Sequence, residues 1–166
     1  MQVPRRKPGV YTHLKPDPNI TQEKFDALNS ELERLKKFVR PRLAEEAKTH
    51  AAQGDFSENV EYSIAKGKLR GINQRILDIE DHLKRASVIP ATKNNRQVNL
   101  GHTVTIEIDG GKKVYQILGS SETSPAKGVI SHNSPLGAAL MNREAGEEFF
   151  VKLAVKQAHV KILKIE

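Results

Sequence analysis

The 166-residue chain contains no cysteine and no tryptophan, and aromatic residues make up only 5% of it. Without cysteine there is no disulfide framework and no thiolate metal site, so a reducing cytoplasm is the expected setting. The scarcity of aromatic side chains argues against a surface on which the bases of single-stranded nucleic acid stack. No run approaches the roughly 20 apolar residues of a membrane-spanning helix, and the N-terminus lacks the apolar core of a secretory signal. We therefore expect a cytoplasmic protein without a membrane partner.

The sequence motifs of common enzymes are missing as well. No glycine-rich phosphate loop, Walker pattern or nucleophile elbow occurs, so a nucleotide-driven enzyme has no support. The histidines His102, His132 and His159 lack the spacing of zinc ligands. We expect no small-molecule substrate and no metal held by the chain alone.

Positive charge exceeds negative charge, with 27 Lys and Arg against 20 Asp and Glu and a net charge of +7. This excess favours a polyanionic partner such as nucleic acid. Residues 1–19 carry four prolines and little apolar periodicity, which predicts a flexible basic arm. The cluster of Arg5, Arg6 and Lys7 in this arm either contacts phosphate or is simply solvated.

Two seams of apolar residues predict a helical hairpin over residues 20–88. The first seam follows Thr21, a predicted N-cap, in steps of three, four, three, four, four and four; it consists of Phe25, Leu28, Leu32, Leu35, Val39, Leu43 and Ala47. The second alternates four and three; it consists of Ala65, Leu69, Ile72, Ile76, Ile79, Leu83 and Ala86. Such spacing is typical of coiled-coil helices, and a short connection between them requires an antiparallel pair.

Three residues interrupt these seams. Pro41 lacks a backbone donor and crowds the preceding turn, so we expect a kink or local break near residues 38–40, which need not end the helix. Gly67 and Gly71 weaken the second arm, and close approach of the two helices is the simplest account of them. A hairpin of this kind also suits a dimerisation or spacer element.

The connection between the arms carries two carboxylates, Asp55 and Glu58, within an acidic tip at residues 54–59. An Asp and a Glu three residues apart can cap the start of the second helix. They can equally supply oxygen ligands to Mg²⁺, which keeps much of its water and often binds jointly with substrate phosphates. Spacing alone leaves both interpretations open.

The run GDFSENVEY, followed by KGKLRGINQRILDIEDHL, closely resembles the tip and returning helix of the bacterial GreA and GreB transcript-cleavage factors. The similarity covers about residues 20–166, and SEN and KLR look closer to the GreB side. It implies that the hairpin enters the secondary channel of bacterial RNA polymerase. There Asp55 and Glu58 would help to hold the second catalytic Mg²⁺ and its attacking water, with Ser57 and Asn59 shaping the tip.

By the same resemblance, the polymerase cuts its own backtracked RNA, so the chain alone is expected to have no activity. We also expect it to be a monomer. Lys66 falls where a basic residue contacting the RNA 3′ end is expected, and Arg70 lies one turn further along. Ala51 occupies a position that is often basic in the family, and Lys48 is a possible substitute. Without the resemblance these cations form a solvated helical face.

The C-terminal part changes from helical periodicity to alternation. Val104, Ile106 and Ile108 precede the turn at residues 109–111, which predicts a β-hairpin. Further strands are predicted at residues 128–131, 149–155 and 159–165, and one short helix at Ser134-Pro135. We thus expect an α+β protein, with a linker at 89–100 and an antiparallel sheet domain at 101–166. The resemblance implies an FKBP-like fold that docks on the polymerase.

Two other functions fit parts of this pattern. A non-cleaving regulator of the polymerase channel needs the hairpin but not the two tip acids. A coiled-coil adaptor with a β-rich interaction domain needs no polymerase at all. Cleavage of backtracked RNA distinguishes a cleavage factor from the non-cleaving regulator. Salt-sensitive binding to RNA polymerase distinguishes both of these from the adaptor.

Overall fold

The computed structural model describes residues 17–52, 60–90, 96–153 and 157–166. The helices are α1 (Gln22–Arg34), α2 (Arg40–Ala51), α3 (Val60–Arg85) and α4 (Pro135–Leu140). The strands are β1 (Asn19–Ile20), β2 (Ser87–Val88), β3 (Thr103–Ile108), β4 (Gly111–Leu118), β5 (Val129–Ser131), β6 (Glu148–Lys152) and β7 (Gln157–Ile165). The α+β class predicted from the sequence is confirmed. Within the described ranges, no helix has the length and apolar character needed to cross a bilayer.

The first arm of the hairpin starts at the predicted cap. The Thr21 hydroxyl accepts a hydrogen bond from the backbone N–H of Lys24 at 3.2 Å, which satisfies one of the free donors of the first turn of α1. Ile20, directly before the cap, is fully buried and packs with Leu28 at the base of the hairpin. The sequence prediction of this helix start is confirmed.

A π-helical turn at Leu35–Val39 joins α1 to α2. Its hydrogen bond runs from the Arg40 N–H to the Leu35 carbonyl, five residues back. In a regular α-helix each four-residue step drifts about 40° around the axis, so the seam would leave the partner helix. The wider turn absorbs this drift and returns Leu43 and Ala47 to the buried side. The local break predicted before Pro41 is confirmed, and the helix continues through it.

α3 returns along the first arm, and apolar residues of both arms form one core. Ion pairs cross between the arms at Lys36–Glu80, Arg75–Glu31 and Lys68–Glu46, and His50 contacts Glu61 at the far end of the hairpin. From Arg75–Glu31 through Lys68–Glu46 to His50–Glu61, the residue number rises along the first arm and falls along α3. The arms are therefore antiparallel, as predicted.

The predicted reason for the two glycines of α3 is wrong. A Cβ atom built on Gly67 or Gly71 has no atom of the described structure within 4 Å, so neither residue permits a close approach of the arms. Both lie on the exposed side of α3. Their cost to helix stability is thus not offset by any packing contact among the described residues.

We expect Gly71→Ala to raise the free energy of unfolding by up to about 1 kcal/mol, because alanine fits the open space and has the higher helix propensity. Urea denaturation followed by circular dichroism at 222 nm measures this change. A lower midpoint than that of the parent chain would contradict the assignment of open space at this position.

The C-terminal sheet has the strand order β5-β4-β3-β7-β6. Three pairings are antiparallel as predicted, but β4 and β5 are parallel, so the predicted all-antiparallel sheet needs correction. Two short 3-10 helices, Ser120–Glu122 and Pro125–Lys127, carry the chain back to the same end of the sheet before β5 begins. Such a return is not visible as hydrophobic periodicity.

One face of this sheet packs with α4 around a core of buried aliphatic residues. The predicted start of α4 is confirmed, because the Ser134 hydroxyl accepts a hydrogen bond from the Gly137 N–H at 3.0 Å. The core residues are Val98, Val104, Ile106, Ile117, Leu140, Phe149, Val151, Ala158, Val160, Ile162 and Ile165.

Two predicted boundaries change. Asn19–Ile20 belongs to the folded part, since it pairs in parallel with Ser87–Val88, so the predicted arm 1–19 does not extend to residue 19. Val98 is fully buried, and its N–H donates to the Arg143 carbonyl at 2.8 Å, so the predicted linker 89–100 ends earlier. Both segments are too short for periodicity to show them. Residues 1–16 and 91–95 lie outside the described residues.

Candidate functional site

The tip residues predicted to carry the chemistry, Asp55, Ser57, Glu58 and Asn59, lie outside the described residues. Their proposed roles therefore stay predictions. The described chain stops at Ala52, just after α2, and resumes at Val60, where α3 begins. Residues 53–59 connect these two helix ends.

The two arms remain side by side up to this point. The Nδ1 atom of His50, in the last turn of α2, lies 3.1 Å from a carboxylate oxygen of Glu61, in the first turn of α3. The Ala52 N–H donates to the Lys48 carbonyl at 3.1 Å, so α2 is hydrogen-bonded to its end. The connection that carries the two acids thus starts and ends on adjacent helical turns.

Some basic residues of α3 are neutralised by the first arm. Arg75 donates two hydrogen bonds, of 2.9 and 3.0 Å, to the Glu31 carboxylate, which lowers the pKa of Glu31 and raises that of Arg75. Lys68 lies 3.8 Å from Glu46. These contacts tie the arms together and reduce the positive charge that this side of the hairpin offers to a polyanion.

Lys66 and Arg70 are placed differently. Neither has an ion pair within the described residues, and both line a shallow groove of about 340 Å³ together with Leu69, Asn73, Gln74 and Leu77. The Lys66 ammonium lies 5.5 Å from the centre of the Tyr62 ring, a cation–π distance. The structure therefore brings these two predicted RNA-binding residues together on one side of α3.

The groove continues toward the base of the hairpin. An adjoining cavity of about 460 Å³ shares Asn73 and Leu77 with it and is lined also by Lys36, Arg40, Ile76 and Glu80. Lys36 is paired with Glu80 and lowers the pKa of that carboxyl through a hydrogen bond. Arg40 has no ion pair in the part of the chain that is described. We call the residues that line both cavities the basic groove.

Sequence reasoning missed Arg40, Asn73 and Leu77 as members of this groove. Each follows a seam residue by one position, so inspection of the positions beside the seam would have found them. Lys48, the third predicted RNA-binding residue, is largely exposed and lies 3.5 Å from Glu45. No described contact joins Lys48 to Lys66 or Arg70, and its role stays a prediction.

Point charges beside an apolar floor bind phosphates without reading base sequence. Among the residues whose placement is described, no group of three or more histidine, aspartate or glutamate side chains could hold a metal ion. The hairpin thus presents Lys66 and Arg70 beside apolar side chains, and it carries two carboxylates whose placement is not described.

Two family descriptions match this chain. "Transcription elongation factor, N-terminal" covers residues 19–88, and "Transcription elongation factor, GreA/GreB, C-term" covers residues 93–166. The first includes α1 to α3, and the second includes all five strands of the C-terminal sheet, β3 to β7. Together they take in both structural parts of the molecule.

Similar proteins carry the same family name. The transcription elongation factor GreA of Staphylococcus saprophyticus is 41% identical over 150 residues, which cover 89% of this chain and 95% of the relative. The GreA protein of Thermomicrobium roseum is 42% identical over 130 residues, covering 77% and 83%. A crystal structure of GreA factor homolog 1 from Thermus thermophilus aligns with a TM-score of 0.42 and 21% identity, covering 90% of this chain and 99% of that one.

Proposed function

Because this chain belongs to the GreA/GreB family of transcription elongation factors, we propose that it enters the secondary channel of bacterial RNA polymerase and stimulates cleavage of backtracked RNA. The polymerase performs the hydrolysis, and the chain supplies groups that assist it. The C-terminal sheet domain docks on the polymerase, and the hairpin delivers its tip to the active centre. The protein acts as a monomer in the cytoplasm.

The observation that supports this proposal best is the construction of the hairpin. Two antiparallel helices, held by cross-arm ion pairs and a narrow apolar core, form a slender element whose connection carries Asp55 and Glu58. A slender element suits a channel. Its basic groove offers Lys66 and Arg70 to the phosphates of an RNA end.

The donor set fits a shared Mg²⁺. Mg²⁺ prefers oxygen ligands and binds through one or two carboxylates together with water and phosphate oxygens. Asp55 and Glu58 provide such carboxylates, and the described histidines and acids form no cluster that would complete a separate site. When bound, the ion would lower the pKa of a water molecule and stabilise charge on the phosphate. The chain's own contribution is to place the two carboxylates and to hold the RNA end.

We expect Lys66→Ala to weaken cleavage of RNA backtracked by many nucleotides by about tenfold, since one charge-assisted phosphate contact is worth ~1.4 kcal/mol. Release of dinucleotides should change less, because a short backtracked end does not reach α3. Single-turnover cleavage of the two kinds of complex, at several salt concentrations, measures the difference. Lys84→Ala, an exposed lysine at the other end of α3, is the matched control. Equal losses for both RNA lengths would count against the proposed contact.

The function is tested with a bacterial RNA polymerase stalled in a backtracked state in the presence of Mg²⁺. Addition of the protein should shorten the RNA from its 3′ end and allow transcription to resume. The protein incubated with free RNA should leave it intact. Inhibition of synthesis without shortening would favour the non-cleaving channel regulator, and absence of any effect would favour the adaptor.

A further inference from the structure

The segment Asp17–Thr21 lies between the base of the hairpin and the C-terminal domain. On one side, β1 pairs with β2, which directly follows α3. On the other side, Gly119 is in backbone contact with the segment, because a Cβ atom at Gly119 would lie 1.9 Å from the Asn19 carbonyl oxygen. We call this contact region the junction.

The Asp17 carboxylate is a central part of the junction. Its Oδ2 atom accepts hydrogen bonds from the Ser120 N–H at 2.9 Å and the Asn133 side chain at 3.4 Å. Its Oδ1 atom accepts from the Asn19 N–H at 3.0 Å, and His132 Nδ1 lies 3.5 Å from Oδ2. The side chain is only 6% exposed. Burial alone would raise the pKa of Asp17, but these hydrogen bonds and His132 outweigh it and hold the pKa of this carboxyl below its usual value.

A second carboxylate joins the first helix to the C-terminal domain. Glu122 accepts hydrogen bonds from the Thr21 N–H at 2.7 Å and from the Thr21 hydroxyl at 2.6 Å. α3 reaches the same region, since the Nε2 atom of His82 lies 3.2 Å from the Asp17 carbonyl oxygen. His82 is buried, with only 8% of its surface exposed. Both arms of the hairpin are thus connected to the junction.

We infer that Asp17 and Glu122 are positioning residues that fix the direction of the hairpin relative to the C-terminal domain. This inference rests on the proposed function, in which one part docks and the other delivers the tip. Neither side chain touches RNA or metal in this scheme. Each acts by holding the first residues of the hairpin against the loop at 119–122.

The length of the hairpin makes its direction important. α3 has 26 residues, so it extends about 39 Å from the junction at 1.5 Å per residue. A swing of only 10° at the junction moves the far end by about 7 Å. Catalytic groups must be held within about 0.5 Å of their productive position, so a loosely held hairpin would seldom place its tip correctly.

The first test measures direction without polymerase. The chain has no cysteine, so Ala44→Cys and Lys113→Cys, both at exposed positions, can be spin-labelled and the distance between them measured by pulsed electron paramagnetic resonance. We expect one narrow distribution of distances in the parent chain. Asp17→Asn, which keeps the shape of the side chain but loses an acceptor oxygen, and Glu122→Gln should each broaden it at least twofold.

The second test measures cleavage by the unlabelled variants. We expect the rate at saturating protein to fall about fivefold or more, because fewer docked molecules hold the tip in place. The concentration that gives half-maximal cleavage should stay within twofold, because Asp17 lies outside the docking domain and Glu122→Gln alters only a side chain that faces the hairpin. Asp26→Asn is the matched control, since the Asp26 carboxylate is exposed and accepts its hydrogen bond from the Gln22 side chain within α1, away from the junction. Circular dichroism spectra establish that each variant is folded.

The outcomes separate this inference from the proposed function. Unchanged distance distributions in both variants overturn the inference, whatever the polymerase does. Broader distributions with an unchanged maximal rate also overturn it, because direction would then not limit cleavage. A parent chain that does not cleave refutes the proposed function instead, and the labelled chains still decide whether the two carboxylates hold the hairpin.

Discussion

Replacing both tip acids, Asp55→Asn together with Glu58→Gln, should lower stimulated RNA cleavage by at least about 100-fold. This is the upper end of the loss in activity expected when residues that support a metal site are changed. Each change keeps the size of the side chain and removes one negative charge. The amides are weak ligands for Mg²⁺, which binds oxygen donors with high charge. Binding to the polymerase should persist, because the basic groove and the sheet domain are untouched.

Single-turnover cleavage in a backtracked complex measures the rate, and competition with a labelled parent chain measures binding. The matched control is Glu33→Gln with Asp78→Asn, which removes the same charge from exposed positions on the hairpin. Full cleavage by the tip variant would eliminate the metal-assisting role and leave only the capping role of Asp55 and Glu58. Loss of binding together with cleavage would mean that the tip serves attachment.

Gly137→Ala should destabilise the C-terminal domain by about 3 kcal/mol or more, at the upper end of overpacking effects. An added Cβ atom would lie 2.0 Å from the carbonyl oxygen of Ser131 and 3.0 Å from the Ser134 hydroxyl. The first neighbour is backbone of β5 and cannot rotate away. The start of α4 or the end of β5 would have to move, and both border the core through Leu140 and Ile130.

Urea denaturation, observed by near-ultraviolet circular dichroism of the sheet domain, measures this loss. Gly71→Ala is the matched control, since the same methyl group enters open space there. We expect it to raise the free energy of unfolding, whereas Gly137→Ala lowers it. A Gly137→Ala chain as stable as the parent would show that β5 and α4 can separate without cost. The two substitutions together distinguish a steric effect from a general effect of removing glycine.

The sequence predicted the elements that depend on local rules. Apolar spacing located both arms, the Thr21 and Ser134 hydroxyls located two helix starts, and Pro41 indicated a local break where the structure has the π turn. In each case the determining residues lie within a few positions of one another. Propensity, capping and periodicity act over that range.

Features that depend on distant residues could not be predicted. The Asp17 carboxylate meets Ser120, 103 residues away, and no local pattern indicates such a contact. The surroundings of Gly67 and Gly71 depend on where the partner helix passes, and the parallel pairing of β4 with β5 depends on the path of the intervening loop. For the site, the sequence indicated Lys66 and Arg70, but only the structure separated them from the ion-paired Lys68 and Arg75.

The Thr21 hydroxyl has two hydrogen-bond partners with different purposes. It accepts from the Lys24 N–H within α1 and donates to Glu122 across the junction. Fraying of the first turn of α1 and opening of the junction therefore become linked local unfolding events. Slow hydrogen exchange of the Lys24 amide would depend on a glutamate 98 positions further along the chain. The start of one helix is thus kept closed by a residue of the other domain.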